Sequence, residues 1–78
     1  MPTDEYETDD IYLAAYFQIA GCTLERRRKI GNKVMFVFTN AAGPIKDLRE
    51  SYFTGRAVVK ANLFAQSIVN TKQLLFDP

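Results

Sequence analysis

The chain has 78 residues, of which 47% are hydrophobic and 13% aromatic, and its net charge at pH 7 is +1. This composition is typical of one small folded domain and excludes an intrinsically disordered chain. With one cysteine and no histidine, the sequence also excludes an intrachain disulfide and a zinc site built from cysteine and histidine.

The charges are divided unevenly along the chain. The first ten residues hold five acids and no base, and the other 68 hold ten bases and four acids, so a segment of charge −5 precedes a body of charge +6. We predict that residues 1–8 are a flexible acidic tail and that residues 9–78 form a single domain. A charge asymmetry of this kind bears on binding partners rather than on the fold.

The first predicted helix covers residues 10–20, is capped by Thr8 or Asp9, and ends at Gly21. It is apolar on nearly every side, which is typical of a helix buried on several sides. Because so small a domain offers little to cover it, we predict a homo-oligomer with this helix at the interface. The predicted interface residues are Tyr12, Leu13, Tyr16 and Phe17.

A β-hairpin is predicted next, with strands at 23–30 and 33–39 joined by the two-residue loop Gly31-Asn32. This loop places residues whose numbers add to 63 opposite each other: Arg28 and Met35, Lys29 and Val34, Arg27 and Phe36, Arg26 and Val37, Glu25 and Phe38, Leu24 and Thr39. The second strand contains VMFVF, which is apolar on both faces and therefore predicted to be central. The first strand is polar towards the turn and is predicted to be an edge.

The remaining elements are a short helix, a third strand and a last helix. Pro44 opens the short helix and Gly55 ends it. The pattern RAVVK at 56–60 predicts a short strand, and a 3.6-residue period predicts a helix over 61–75 that lies on the sheet. Its stripe is Ala61, Phe64, Ala65, Ile68, Lys72 and Leu75. The order α-β-β-α-β-α predicts an α+β fold with helices packed on a small antiparallel sheet.

Four short motifs carry a resemblance to a known family. They are "D-x-Y-L-A-A-Y" at 10–16, "F-x-F" at 36–38, "Y-F-x-G" at 52–55 and "K-x-L-L-F" at 72–76. In this order they resemble a family of short bacterial and phage proteins classified as a domain of unknown function. The resemblance implies a phage or mobile-element accessory protein and brings no activity with it.

The residues needed for catalysis are missing. Histidine, the commonest general base, is absent, and no histidine activates Cys22. The glycines are spaced as turn and cap residues rather than as a phosphate-binding loop, and the N-terminal acids lack the spacing of a calcium loop. We therefore predict a protein that is not an enzyme and uses no metal or cofactor.

The run Arg26-Arg27-Arg28-Lys29 is the strongest candidate binding site. Arginine suits bidentate contact with phosphate, and a projecting β-ribbon can lie in a DNA groove or along phosphates. We predict a small accessory protein that binds DNA or RNA phosphates through this hairpin. The predicted contacts are Arg26, Arg27, Arg28, Lys29 and Lys33, with Arg56 and Lys60 added if the third strand lies alongside. The alternative is a solvated edge strand that discourages aggregation.

A second hypothesis is a protein–protein interaction module, a homodimeric adaptor or inhibitor that acts through its apolar first helix on a host or phage protein. Tyr12 and Tyr16 lie one helical turn apart, and we expect them to line a partner surface or to stack on bases. The alternative for these two residues, and for Tyr52 and Phe53, is packing in the core with the hydroxyls at the rim. The longest apolar run, residues 11–20, is about half of what a bilayer requires. We therefore expect no membrane contact. A free thiol, and an N-terminus that begins with acids rather than with the cationic region of a signal peptide, favour a cytoplasmic location.

Overall fold

The computed structural model describes residues 5–39 and 45–75. These residues form a small α+β fold with three antiparallel strands in one sheet and three helices, which confirms the predicted fold class. The elements are β1 (Glu5–Thr8), α1 (Ile11–Ile19), β2 (Thr23–Ile30), β3 (Lys33–Thr39), α2 (Ile45–Phe53) and α3 (Ala61–Leu74). Their order is β-α-β-β-α-α, which differs from the predicted order in the place of the third strand.

The strand order in the sheet is β1-β3-β2. The predictions that β3 is central and that β2 is an edge are therefore confirmed. Phe36, Val37 and Phe38 of β3 are all fully buried, as expected of a strand with neighbours on both sides.

The predicted third strand at 56–60 is wrong, because β1 takes that place in the sheet. Residues 5–8 belong to the segment that the sequence analysis treated as a flexible tail. They alternate in their environment: Thr8 is buried and Tyr6 packs against the core, while the two glutamates point the other way. The acidic composition of this segment led to the prediction of a flexible tail, although the segment contains a strand of four residues. Residues 1–4 of the predicted tail, and the predicted helix start at Pro44, lie outside the described residues.

The hairpin register follows the prediction from the turn as far as Arg26, which pairs with Val37. A β-bulge between Leu24 and Arg26 then shifts it, so that Leu24 pairs with Phe38 rather than with Thr39. The predicted pairing of Glu25 with Phe38 is wrong for the same reason. A shift of one residue moves a side chain to the other face of a sheet. The bulge thereby places Leu24 against the core, among the partly buried hydrophobic residues.

Helix α1 is capped one or two residues later than predicted, at Asp10. Its carboxylate accepts hydrogen bonds from the backbone N–H groups of Tyr12 (2.9 Å) and Leu13 (3.2 Å). Thr8 supports the cap, since its hydroxyl accepts from the backbone N–H of Asp10 at 3.0 Å. At the other end Gly21 has a φ of 96°, a left-handed conformation that favours glycine, as predicted.

Most of the apolar circumference of α1 is covered within the single chain, although Tyr12 stays exposed. One side packs on the sheet, where Phe17 meets Phe38 edge-on with ring centroids 5.3 Å apart. The other side contacts α3. The expectation that the domain is too small to cover this helix is wrong, because α1 lies between the sheet and α3.

Helix α3 packs on α1 rather than on the sheet, and it does so through polar side chains. The hydroxyl of Ser67 donates to the carbonyl of Ala15 (2.9 Å), and the amide of Gln18 donates to the hydroxyl of Thr71 (2.7 Å). Ser67 and Thr71 are buried, whereas Ala61, Ala65, Lys72 and Leu75 of the predicted stripe are exposed. The stripe was misplaced because two buried residues of the true interface are polar.

Candidate functional site

The outer face of the sheet, which the helices do not cover, carries charged side chains from both edge strands. The register places Arg26 and Arg28 of β2 on the same face as Glu5 and Glu7 of β1, on either side of β3. Arg26 forms an ion pair with Glu5 at 3.1 Å, and Arg28 forms one with Glu7. These pairs span the central strand, and Val37 between them is fully buried. The long charged side chains therefore serve as a cover for the outer side of β3.

The charges of this outer face largely compensate one another. Hydrogen bonding from the Arg26 guanidinium lowers the pKa of Glu5 below its usual range, so that Glu5 is ionised at neutral pH. Lys33 at the start of β3 forms a longer pair with Asp9, at 3.8 Å. Three of the predicted phosphate-binding residues therefore have a carboxylate partner within the chain. The outer face is close to neutral.

Arg27 and Lys29 of the basic run lie on the opposite face of the hairpin. The Arg27 guanidinium donates a hydrogen bond to the backbone carbonyl of Leu74 at the end of α3. A cation at this position satisfies a carbonyl that has no partner within the helix and favours the negative end of the helix dipole. Lys29 is exposed and makes no ion pair within residues 5–39 and 45–75.

Arg56 and Lys60 lie in the connection between α2 and α3, so they do not belong to a strand beside the hairpin. Arg56 lines a shallow depression with Asp47, Glu50, Ser51 and Thr54. The seven predicted phosphate contacts are thus distributed over the outer sheet face, the opposite face of the hairpin and the α2–α3 connection. The structure does not bring them together on one continuous surface.

Most of the residues predicted for an oligomer interface on α1 are buried within the single chain. Leu13, Tyr16 and Phe17 are at most 6% exposed in the single chain. Only Tyr12 of the four predicted residues is exposed, at 50%. The apolar side chains of α1 are therefore used to build the core.

An apolar groove lies where α1, α2 and the α2–α3 connection meet. Its lining is Tyr16, Tyr52, Gly55, Ala57, Val59 and Phe64, and its volume is about 190 Å³. The rings of Tyr16 and Tyr52 lie 5.6 Å apart. This volume is below the roughly 300 Å³ at which small-molecule sites begin, and slightly above the ~150 Å³ cavity that accepts benzene. The groove is therefore the size of one large apolar side chain.

Two of the residues that line the groove, Tyr16 and Tyr52, carry phenolic hydroxyls. Neither Tyr16 nor Tyr52 donates its hydroxyl to another described residue, although Tyr6 accepts a hydrogen bond from Arg49 at 2.7 Å. Burial, with smaller contributions from Asp10 and Tyr12, raises the pKa of Tyr52, so its hydroxyl stays protonated at neutral pH. Tyr52 is therefore a hydrogen-bond donor among the residues that line the groove.

Exposed apolar side chains occur next to the lining residues in the sequence. Phe53, Val58 and Leu63 are 58%, 93% and 50% exposed, and each is the neighbour in sequence of a lining residue. Tyr16 is the one lining residue that the sequence predicted for a partner surface. Tyr52 and Val59 of the lining, and the exposed Phe53 and Val58, were not predicted for one. The pattern RAVVK, which contains Val58 and Val59, instead led to the prediction of a third strand in the sheet.

No group of three or more cysteine, aspartate or glutamate side chains in the described part of the chain is placed to hold a metal ion. None of the helices described in residues 5–39 and 45–75 combines the length and the apolarity needed to cross a bilayer. Comparison with protein families found no match, and neither the search of curated proteins nor that of solved structures found a similar chain.

Proposed function

We propose that this protein is a protein–protein interaction module whose binding site is the apolar groove between α1, α2 and the α2–α3 connection. The observation that carries the proposal is the groove itself, together with the exposed apolar side chains of Phe53, Val58 and Leu63, each adjacent in sequence to a lining residue. Apolar patches rimmed by polar residues mark interaction sites on soluble proteins. The occupant is one large apolar side chain of a partner protein.

The groove also supplies a means of orienting that side chain. The hydroxyls of Tyr16 and Tyr52 offer donors to the backbone carbonyls of a bound segment. Tyrosine is enriched at interfaces because its ring is apolar and its hydroxyl is polar.

A pair of matched valine variants tests this function. Val59 lines the groove and is 37% exposed, whereas Val69 on α3 is 49% exposed and does not line it. Twelve-residue peptides are selected from a random library on the immobilised chain, and their affinities for the parent and for each variant are measured by fluorescence anisotropy. We expect Val59→Lys to weaken binding at least tenfold and Val69→Lys to leave it unchanged. Selected peptides that bind both variants as well as the parent overturn the proposal.

A second candidate function is phosphate binding by the end of the hairpin. The observation that favours it is the adjacent pair Arg28 and Lys29: the Arg28 side chain is 47% exposed, and Lys29 has no ion pair with another described residue. In this candidate Glu5 and Glu7 compete with nucleic-acid phosphates for Arg26 and Arg28.

An electrophoretic shift assay with single- and double-stranded probes at two salt concentrations tests this second candidate. Glu5→Gln with Glu7→Gln raises the net charge from +1 to +3. The control Asp47→Asn with Glu50→Gln makes the same change in charge on α2. We expect only the first pair to tighten binding, most strongly at low salt. Equal effects of the two pairs, or no binding by any variant, rule the candidate out.

A further inference from the structure

We infer that the α2–α3 connection, residues 56–60, binds an extended segment of another protein by strand addition, and that this segment has the pattern acid, three apolar residues, acid. The inference rests on the proposed function, since it names the partner of the same groove. Three observations lead to it: the state of the backbone, the alternation of the side chains and the position of the charges.

The backbone of the connection has unused hydrogen-bonding groups at Val58 and Val59, whereas the N–H groups of Arg56 (2.9 Å) and Ala57 (3.1 Å) donate to the carbonyl of Ser51. Residues 56–60 run without a turn or bend, and Lys60 has φ −73° and ψ 124°. The N–H and C=O groups of Val58 and Val59 make no hydrogen bond to another described residue. An exposed strand with free backbone groups is what strand addition requires, and its main-chain hydrogen bonds provide affinity.

The side chains of the connection alternate between two environments. Ala57 and Val59 line the groove, whereas Val58 between them is 93% exposed. An added strand alternates in the same way, so its residues opposite Ala57 and Val59 face the groove. The residue opposite Val58 faces the solvent side, where an apolar side chain covers Val58. The middle three residues of the partner segment are therefore apolar.

The charges define the two ends of the partner segment. Arg56 and Lys60 flank the three apolar residues, both are exposed, and neither forms an ion pair among the described residues. Opposite charges on directly facing residues stabilise a strand pair, and like charges destabilise it. Acidic residues opposite Arg56 and Lys60 complete the pattern. Because the pattern is symmetric, it holds for both strand directions.

A second copy of this chain does not supply such a segment. The only acids spaced four residues apart in the sequence are Glu5 and Asp9, and the residues between them, YET, include an acid. If two copies of the connection pair as antiparallel strands, Arg56 of each lies opposite Lys60 of the other. Like charges on directly facing residues destabilise a strand pair. The occupant is therefore a different protein.

The test uses a nine-residue peptide with the central sequence EVVVE and compares it with three relatives. One has glutamine in place of both glutamates, one has lysine there, and one keeps EVVVE but carries N-methyl groups on alternate backbone nitrogens. Affinities are measured by fluorescence anisotropy at low and physiological salt. Hydrogen exchange of the Val58 and Val59 amides is followed by NMR.

We expect EVVVE to bind, glutamine to weaken it about three- to tenfold, and lysine to weaken it further, since exposed ion pairs contribute modestly and are screened by salt. N-methylation abolishes binding when the methyl groups lie on the edge of the peptide that pairs with the connection. The amide exchange of Val58 or Val59 slows when the parent peptide binds. The variant Arg56→Glu with Lys60→Glu reverses the preference to the lysine peptide. Both positions are exposed, so the variant is expected to fold.

The outcomes separate this inference from the function on which it rests. If the acidic, glutamine and lysine peptides bind equally, or the N-methylated peptide binds as well as its parent, the strand-addition inference is wrong. If none of the four binds while library peptides are sensitive to Val59→Lys, the groove is an interaction site for another kind of segment. If no peptide from either experiment depends on Val59, both proposals fail.

Discussion

At the scale of single residues, Cys22 is a packed side chain rather than a reactive thiol. It is 9% exposed, and burial raises the pKa of its thiol. Because the thiolate is the reacting species, we expect iodoacetamide to alkylate Cys22 at neutral pH at least tenfold more slowly than an exposed cysteine. Mass spectrometry measures the rate, and urea restores it. Alkylation of the folded chain at the rate of an exposed thiol contradicts this expectation.

Thr71 has a larger structural role than its residue type indicates. Its fully buried hydroxyl accepts a hydrogen bond from Gln18 and donates one to the carbonyl of Ser67, both at 2.7 Å. Thr71→Val keeps the shape and removes both bonds, so we expect a loss of about 1–3 kcal/mol in the free energy of unfolding. Urea titration measures it.

Thr54 offers a matched control for this substitution. Its hydroxyl also donates to a helix carbonyl, that of Glu50 at 2.8 Å, but at an exposed position. Thr54→Val is expected to cost less, because water replaces the lost bond. Equal costs at the two positions would show that burial does not govern the effect.

At the scale of elements, β1 is the least expected part of the fold. It pairs with the second edge of β3, and Tyr6 packs edge-on against Phe17 at 5.5 Å. Deleting residues 1–8 raises the net charge from +1 to +4, but it also exposes an edge of a strand that is apolar on both faces. We therefore expect aggregation or a strongly lowered unfolding midpoint, as measured by light scattering and urea titration. Deleting residues 1–4 alone keeps β1 and serves as the control.

The ion pair between Glu5 of β1 and Arg26 of β2 makes the sheet sensitive to acid. The folded pKa of Glu5 is lowered by Arg26. The pair therefore stabilises the fold fully above the unfolded glutamate pKa of about 4.3, and this contribution is lost as the pH falls through the lower folded pKa. We expect Glu5→Gln to reduce the difference between urea midpoints at about pH 6 and about pH 3. An unchanged difference would mean that this pair contributes nothing.

At the scale of the whole molecule, the core is small and depends on few side chains. Phe17 is fully buried and its ring contacts those of Tyr6 and Phe38. Phe17→Ala is expected to cost about 3–5 kcal/mol. At ~0.05–0.15 kcal/mol per residue, that is a large part of the total stability of a chain this size. Circular dichroism is expected to show a largely unfolded variant, whereas Leu63→Ala, at a position 50% exposed, stays folded.

What the sequence by itself determined is local. The turn Gly31-Asn32 predicts the hairpin, the apolar pattern of β3 predicts its central strand, and the composition of α1 predicts the first helix. These predictions are possible because backbone conformation and burial period are properties of short segments. The division of the basic run between two faces follows from the same period of two. These features needed no knowledge of the distant parts of the chain.

Only the tertiary structure decided which of two strand-like segments completes the sheet. EYET at 5–8 alternates, whereas RAVVK at 56–60 is a continuous apolar run between two bases and has the stronger β-branched composition. β1 occupies the edge because Tyr6 and Thr8 face the core while Glu5 and Glu7 meet Arg26 and Arg28, and those contacts are long-range. That choice neutralises the predicted basic site and leaves 56–60 extended beside the groove. A local pattern shows that a segment can be a strand, and the remaining contacts decide where it pairs.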